Sequence, residues 1–135
     1  MEAIQTSQQT FRQEVFAEAE AYCQHSLNAF AKKKFNYETI YNIICMSAEK
    51  YMVALVLHHN IMPQHHTLLG LIKEVVSVTE RKDLVLLKHI RFLNSFQNLC
   101  SLEIMKNPEI TTTDMQQLCD GLSYLRQFVS NDIQK

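Results

Sequence analysis

Glycine and proline are almost missing from this sequence, with two of each in 135 residues. Tight turns and hairpins draw on those residues, so their scarcity argues against a sheet-rich design and favours long helices. Charge of one dominant sign is also missing. Thirteen basic residues stand against fourteen acidic ones, a formal net charge of −1. That balance gives no overall field to draw in a polyanion and confines any nucleic-acid contact to a local patch. Long apolar runs are missing too. The longest, Tyr51 to Leu57, is seven residues against the ~20 that a bilayer-spanning helix needs. The first residues, MEAIQTSQQTFRQE, have neither the basic start nor the apolar stretch of a secretory signal. The expectation is a cytoplasmic protein with no membrane partner.

Motifs that announce chemistry are equally scarce. The four cysteines, Cys23, Cys45, Cys100 and Cys119, are widely spaced and form no CxxC pair, which suggests neither a zinc ribbon nor a thioredoxin-type site. Each sits in an apolar helical pattern and reads as a reduced, buried thiol acting as a small hydrophobe. No P-loop, Rossmann glycine pattern, GxSxG elbow or HExxH helix occurs, and with two glycines a backbone cradle for phosphates is nearly excluded. No cofactor is implied, and nothing singles out a nucleophile.

What is present is a hydrophobic content of 47% with 20% charged residues, the composition of a folded domain. The length suits one unit spanning residues 1–135. Periodicity at three and four residues predicts a first helix over about 7–33, with Phe11, Val15, Ala19, Tyr22, Ser26 and Phe30 inward and Arg12, Glu14, Glu18, Glu20 and Gln24 on the solvent side. Lys32, Lys33 and Lys34 read as cations complementing the negative end of that helix, or as a small nucleic-acid patch.

Asn36 is placed to cap a second helix with a core stripe of Ile40, Ile44, Ser47, Ala48, Tyr51, Leu55 and His58. Its small residues Ser47, Ala48 and Ala54 let a neighbour come close, which makes it the best-buried helix of the set. Asn60 is a left-handed stop and Pro63 prevents continuation, so residues 60–65 form a loop. A third helix runs over about 66–78 and pairs with the second. A fourth opens at Thr79 and runs to about Lys106, with Leu86, Ile90, Leu93, Phe96, Cys100 and Ile104 inward. Thr113 with Gln116 makes a capping-box start for the last helix, which carries Met115, Leu118, Cys119, Leu122, Leu125, Phe128 and Val129. Gly121, inside it, marks a close helix contact or a slight kink. The fold class is all-α, an antiparallel up-and-down bundle of four to five helices.

The stretch Ser47 to Glu74, SAEKYMVALVLHHNIMPQHHTLLGLIKE, joins a small-residue–Glu–Lys helix, a Pro-containing loop and a His-Thr-Leu-Leu restart. That pattern resembles the HEPN family of small helical domains. The resemblance implies two branches. The ribonuclease branch, which includes toxins of toxin–antitoxin pairs, carries an Arg, four to six residues and then a His near a dimer seam, where Arg holds a phosphate and His moves a proton. Here Arg81 and His89 have seven residues between them and lie about 80° apart on a helix. No other Arg and His fit the spacing, so the signature is absent and catalysis is disfavoured.

The second branch comprises substrate-binding subunits that accompany nucleotidyltransferases, which need no catalytic pair. Residues carried over are Glu49 and Lys50 in the second helix and His66 with Thr67 at the loop exit, with His65 beside them. In this reading Lys50 meets a phosphate and His66 donates to one at the third helix's N-terminus. In the plainer reading Glu49 and Lys50 are solvated surface and His66 caps its helix. His58, His59, His65 and His66 bracket the loop, but at most two of the four can face one ion and no further ligand is near, so no metal site is expected.

The sequence thus points first to a non-catalytic HEPN-like domain, a homodimer that binds a nucleotide, an RNA segment or a partner nucleotidyltransferase. The alternatives are a toxin-type ribonuclease with displaced catalytic residues, using His89 or His66 and a basic residue, and a structural protein-interaction module. Dimerisation is also suggested by apolar stripes on the first, fourth and fifth helices that are wider than a two-helix contact requires.

Overall fold

The computed structural model describes residues 2–97 and 110–134, with side chains from residue 9 onward. Among these residues every regular element is an α-helix. They are α1 (Glu2–Ala31), α2 (Tyr37–His58), α3 (Leu68–Thr79), α4 (Leu84–Ser95) and α5 (Thr112–Ile133).

Cross-chain hydrogen bonds fix the directions of the helices. Ser47 Oγ donates to the carbonyl of Ala19 at 2.8 Å, and Arg12 reaches His58, so α1 and α2 run antiparallel. Tyr37 and Thr112 join hydroxyls at 3.0 Å at one end while His59 and Asp132 meet at the other, so α5 runs parallel to α2. Tyr41 donates to the Leu93 carbonyl at 2.7 Å, and Ala48 borders the same small cavity as His89 and Ile90, which sets α4 antiparallel to both. Helices α1, α2, α4 and α5 therefore alternate up and down, and the short α3 is inserted between α2 and α4, packing on each.

Helix α2 is the hub, as its stripe anticipated. Ile40, Ile44, Ser47, Ala48, Tyr51, Met52, Ala54, Leu55 and Val56 are all fully buried. Its length and composition would allow it to cross a bilayer, a property that run length alone concealed, but most of it is covered by its neighbours within the bundle. Ala19 and Ser47, both fully buried, bring the α1 and α2 backbones together where a larger side chain would hold them apart. Tyr51 has no exposed surface, and a buried phenol needs a partner. It donates to Glu20 Oε2 at 3.1 Å, and the same oxygen accepts from Arg126 Nε at 2.8 Å. One carboxylate thus ties α1, α2 and α5 together. Glu20 and Arg12 are accordingly not part of a purely solvated face, whereas Phe11, assigned to the core stripe, is half exposed.

The apolar row of α5 is buried in full, as are Leu86, Ile90 and Leu93 of α4. Cys23, Cys45 and Cys119 are core residues. Burial pushes the Cys23 thiol up and the Cys119 thiol up to about 11, which keeps both protonated and unreactive near neutral pH.

Element boundaries moved wherever a side chain competed for a cap. Asn36 caps α2 as expected, its Oδ1 accepting from Thr39 N–H. Thr79 does not open α4. It ends α3, its hydroxyl donating to the Val75 carbonyl, and Asp83 is the cap of α4 through Leu86 N–H. The capping box of α5 is Thr111 with Asp114, two residues before the expected Thr113 with Gln116, because Asp114 is short enough to return to the Thr111 N–H. Helix α4 ends at Ser95 with Phe96 as its cap. The expected continuation through Cys100 and Ile104 to Lys106 lies outside the described residues.

Helix α1 stops at Ala31, so Lys32–Lys34 lie past its last turn. They form a Schellman turn in which Lys33 N–H bonds the Phe30 carbonyl and Lys34 N–H the Ala29 carbonyl. With glycine so scarce, non-glycine residues take the left-handed positions: Lys33, Phe35, Asn60 and Glu80, with φ of 53°, 61°, 62° and 56°. A left-handed L-residue other than Asn or Asp costs roughly 1–2 kcal/mol. Glu80 closes α3 with its own N–H on the Val76 carbonyl. Replacing it with glycine relieves that strain while adding freedom to the unfolded chain, so E80G is expected to stabilise the protein by about 0.5–1 kcal/mol in chemical denaturation. A loss of stability would contradict this account of the α3 end.

Candidate functional site

The α2–α3 connection begins with a second Schellman turn. Asn60 N–H bonds the Leu57 carbonyl and Ile61 N–H the Val56 carbonyl, with Asn60 left-handed as its residue type suggested. The chain then runs without regular structure to Thr67, whose hydroxyl accepts from Gly70 N–H at 3.0 Å and caps α3. Thr67, not His66, is therefore the cap.

Glu74 on α3 clamps the loop, accepting from Gln64 N–H at 2.9 Å and from His65 Nδ1 at 3.0 Å. Burial works against its charge, but these hydrogen bonds outweigh it and hold the Glu74 carboxyl below its ordinary range. The clamp explains Gly70. A Cβ at that position would stand 2.6 Å from His65 Cβ and 2.7 Å from its ring, so the loop can lie across α3 only where α3 has no side chain.

Of the five residues anticipated here, His65, His66 and Thr67 follow one another in the α2–α3 connection, Glu49 on α2 is near enough to His66 to feel its charge, and Lys50 turns to α1 and pairs with Glu18 at 2.7 Å. The divergence follows from the roughly 100° between adjacent helical residues. Burial pushes the Glu49 carboxyl up, with His66 and Lys50 opposing the shift. The junction thus holds a half-buried acid beside an imidazole, without the lysine that was expected to meet a phosphate there.

The other two loop histidines belong to a different cluster, at the end of the bundle where α1, α2 and α5 meet. His59 Nε2 donates to Asp132 Oδ2 at 2.7 Å, Arg12 Nη1 donates to His58 Nδ1 at 3.2 Å, and the two imidazoles stand perpendicular with centroids 5.6 Å apart. Asp132 is only 7% exposed, a buried carboxylate that needs this partner. Among the described residues no three His, Cys, Asp or Glu side chains gather as a metal set. The four histidines are drawn instead to Arg12, Asp132, Glu74 and the neighbourhood of Glu49. Arg12 and Asp132 were missed from sequence. Asp132 had left a trace, since it continues the inward row Leu125, Phe128, Val129 at helical spacing.

Arg81 and His89 both lean on α5 but at different heights. His89 packs on α5 by its ring. Its ring lies over Gly121, where an added Cβ would come within 3.1 Å of Nδ1, and beside Tyr124 at 5.3 Å between centroids. Gly121 is therefore a close helix contact. Arg81 stands 4.3 Å above the Phe128 ring, a cation–π arrangement.

Arg81 and Lys82 border a cleft of about 400 Å³ between the α3–α4 turn and α5, with Asp83, Tyr124, Gln127, Phe128 and Asn131 as its other walls. Asp83 is satisfied internally: Oδ1 accepts from Leu86 N–H and Oδ2 from the Tyr124 hydroxyl at 2.6 Å. The Tyr124 hydroxyl bond is the main reason the Asp83 carboxyl titrates below its ordinary range. Neither Arg81 nor Lys82 has a carboxylate partner among the described ion pairs. Gln127 Nε2 donates to Asn131 Oδ1 at 2.8 Å, leaving the Asn131 amide N–H₂ and the Gln127 carbonyl for other contacts. The cleft thus combines two cations, one carboxylate that feels the Arg81 charge, aromatic walls and an amide edge, a grouping its sequence spacing did not announce.

The Arg12 bond requires an unprotonated His58 Nδ1. Burial first, then Arg12 and His59, push the His58 imidazole below its ordinary pKa, with Asp132 opposing. A histidine whose folded pKa is depressed binds more protons unfolded, so it costs stability as pH falls through the unfolded value near ~6.5 and the cost levels off below the folded value. Urea denaturation at pH 7.5 and pH 5.0 is expected to show a smaller acid-induced loss for H58Q than for the parent chain. Equal losses would contradict the arrangement at His58.

Comparison with known proteins finds no matching family model, no curated protein and no solved structure that matches this chain.

Proposed function

We propose that this chain is a HEPN-like helical domain that binds a nucleotide or a segment of RNA without cleaving it, and that the ligand's phosphate enters the Arg81–Lys82 cleft. The observation that supports this most is the charge balance of that cleft. Its single carboxylate, Asp83, is held by Tyr124 and a backbone N–H and feels the Arg81 charge without pairing closely with either cation, so the cleft carries two cations to one anion. Guanidinium and ammonium donors are suited to phosphate oxygens. The guanidinium plane over Phe128 and the Tyr124 ring give a base a surface to stack on, and the Gln127–Asn131 edge can read its polar atoms. The Glu49–His66 junction, with the exposed Ile61 and Met62 beside it, is the surface offered to a partner nucleotidyltransferase.

Arrangement also favours binding over cleavage. Acid–base chemistry on a phosphodiester requires a histidine within hydrogen-bond reach of the reacting oxygen while a cation holds the phosphate. His89 opens on the other side of Tyr124, into a separate groove. A ribonuclease built on this chain would have to draw on His89 or His66 with a cation from a second copy.

Titration of the purified chain with a panel of nucleoside mono-, di- and triphosphates and short single-stranded RNAs is the test. A charge-assisted hydrogen bond contributes about 1.5–3 kcal/mol, so R81A and K82A are each expected to weaken binding by about tenfold or more. Absence of binding across the panel, binding indifferent to both substitutions, or RNA cleavage that disappears in H89A or H66A would each defeat the proposal.

A further inference from the structure

On the face opposite the Tyr124 ring, α4 and α5 enclose a second groove of about 490 Å³, lined by Val85, Lys88, His89, Phe92, Gln117 and Asp120. Val85 in its wall is 50% exposed and the preceding Leu84, at the start of α4, 70%, an apolar stretch left uncovered at one end of the groove. Its rims carry opposite charges, Lys88 on α4 and Asp120 on α5. They stand at one height, because the residue after Asp120, Gly121, lies directly under the residue after Lys88, His89. Lys88 has no carboxylate partner among the described ion pairs. Among the described residues Asp120 accepts from a side-chain amide, that of Gln116, at 3.0 Å.

We propose that this groove is the seam on which a second copy of the chain docks, with a two-fold axis running along the helices. The proposal rests on the homodimer expected for this domain and specifies its geometry. A two-fold interface presents one patch to itself, so each residue meets either its own counterpart or a partner whose counterpart it meets in return. An axis across the helices lays Lys88 on its own counterpart, and like charges in contact are repelled. An axis along the helices lays α4 over the partner's α5. Each Lys88 then meets Asp120 of the partner subunit, and the salt bridge forms twice. Val85 and Phe92, two helical turns apart on α4, are covered on either side of it, and Leu84 leaves water at the edge. The charge pattern selects the axis, and the apolar strip supplies the contact.

Charge reversal separates this seam from any other. Sedimentation equilibrium of the full chain in low salt is expected to give twice the 15.7 kDa protomer mass. K88E and D120K, both on exposed surface and each removing both salt bridges, are each expected to raise the dimer dissociation constant about tenfold or more, and K88E/D120K to restore it to within about threefold of the parent. Helical circular dichroism of all three variants reports whether they fold, and V85S, which removes apolar contact without touching charge, is expected to weaken the dimer on its own. A parent chain that stays at the protomer mass overturns the seam and the homodimer together. A dimer unmoved by the single reversals, or a double reversal no tighter than the singles, overturns the seam and leaves the homodimer standing. Nucleotide titration of K88E/D120K, which keeps the net charge of the chain, judges the ligand-binding reading separately from both.

Discussion

The bundle depends on the burial of α2. This helix carries too little polar surface to face water, and it is covered by α1, α3 and α5. Small residues at the α1 contact set the distance between backbones, and the one large polar side chain in its centre, Tyr51, is satisfied by a carboxylate that also holds Arg126 of α5. Burying aliphatic side chains of this size contributes about 1.5–3 kcal/mol each, so the hub outweighs any single surface contact. What remains at the periphery is free to vary, and both clefts lie there.

Glycine is used in an uncommon way. Neither glycine makes a turn. Each sits within a helix beneath an imidazole, Gly70 under His65 and Gly121 under His89, where its lack of a side chain permits a close approach. Turns are left to Lys33, Phe35, Asn60 and Glu80 in left-handed conformations. The four histidines around the loop are divided: His65 clamps on Glu74, His59 pairs with the buried Asp132, His58 accepts from Arg12, and His66 stands near Glu49.

Much of the fold was legible in the sequence, because apolar periodicity reports directly which face of a helix is buried. The rows of α2, apart from the partly exposed His58, and of α5 were read correctly, as were Asn36, whose side chain acts three residues on, and Asn60, whose backbone takes the left-handed turn. Boundaries that depended on choosing between nearby hydroxyl and carboxylate caps, Thr79 against Asp83 and Thr113 against Thr111, were not legible, since each candidate has the right chemistry and only geometry selects one. The candidate sites were the least legible. Glu49 lies near enough to His66 to feel its charge, but Lys50 is drawn away by Glu18, thirty-two positions earlier. Arg81 stands over Phe128, and Asp83 meets Tyr124 forty-one positions on, a pairing that no local pattern encodes. The resemblance carried by Ser47–Glu74 directed attention to one turn, while Arg81 and Lys82 lie at the next.

Nitrogen-15 chemical-shift mapping with a bound nucleoside phosphate tests the central claim most directly, because it reports where the ligand sits without altering a residue. The account predicts that the perturbed amides cluster at residues 80–83 and along the 124–131 face of α5, with those of α2 unmoved. Perturbations centred on the Glu49–His66 junction, on the α4–α5 groove, or nowhere would contradict it.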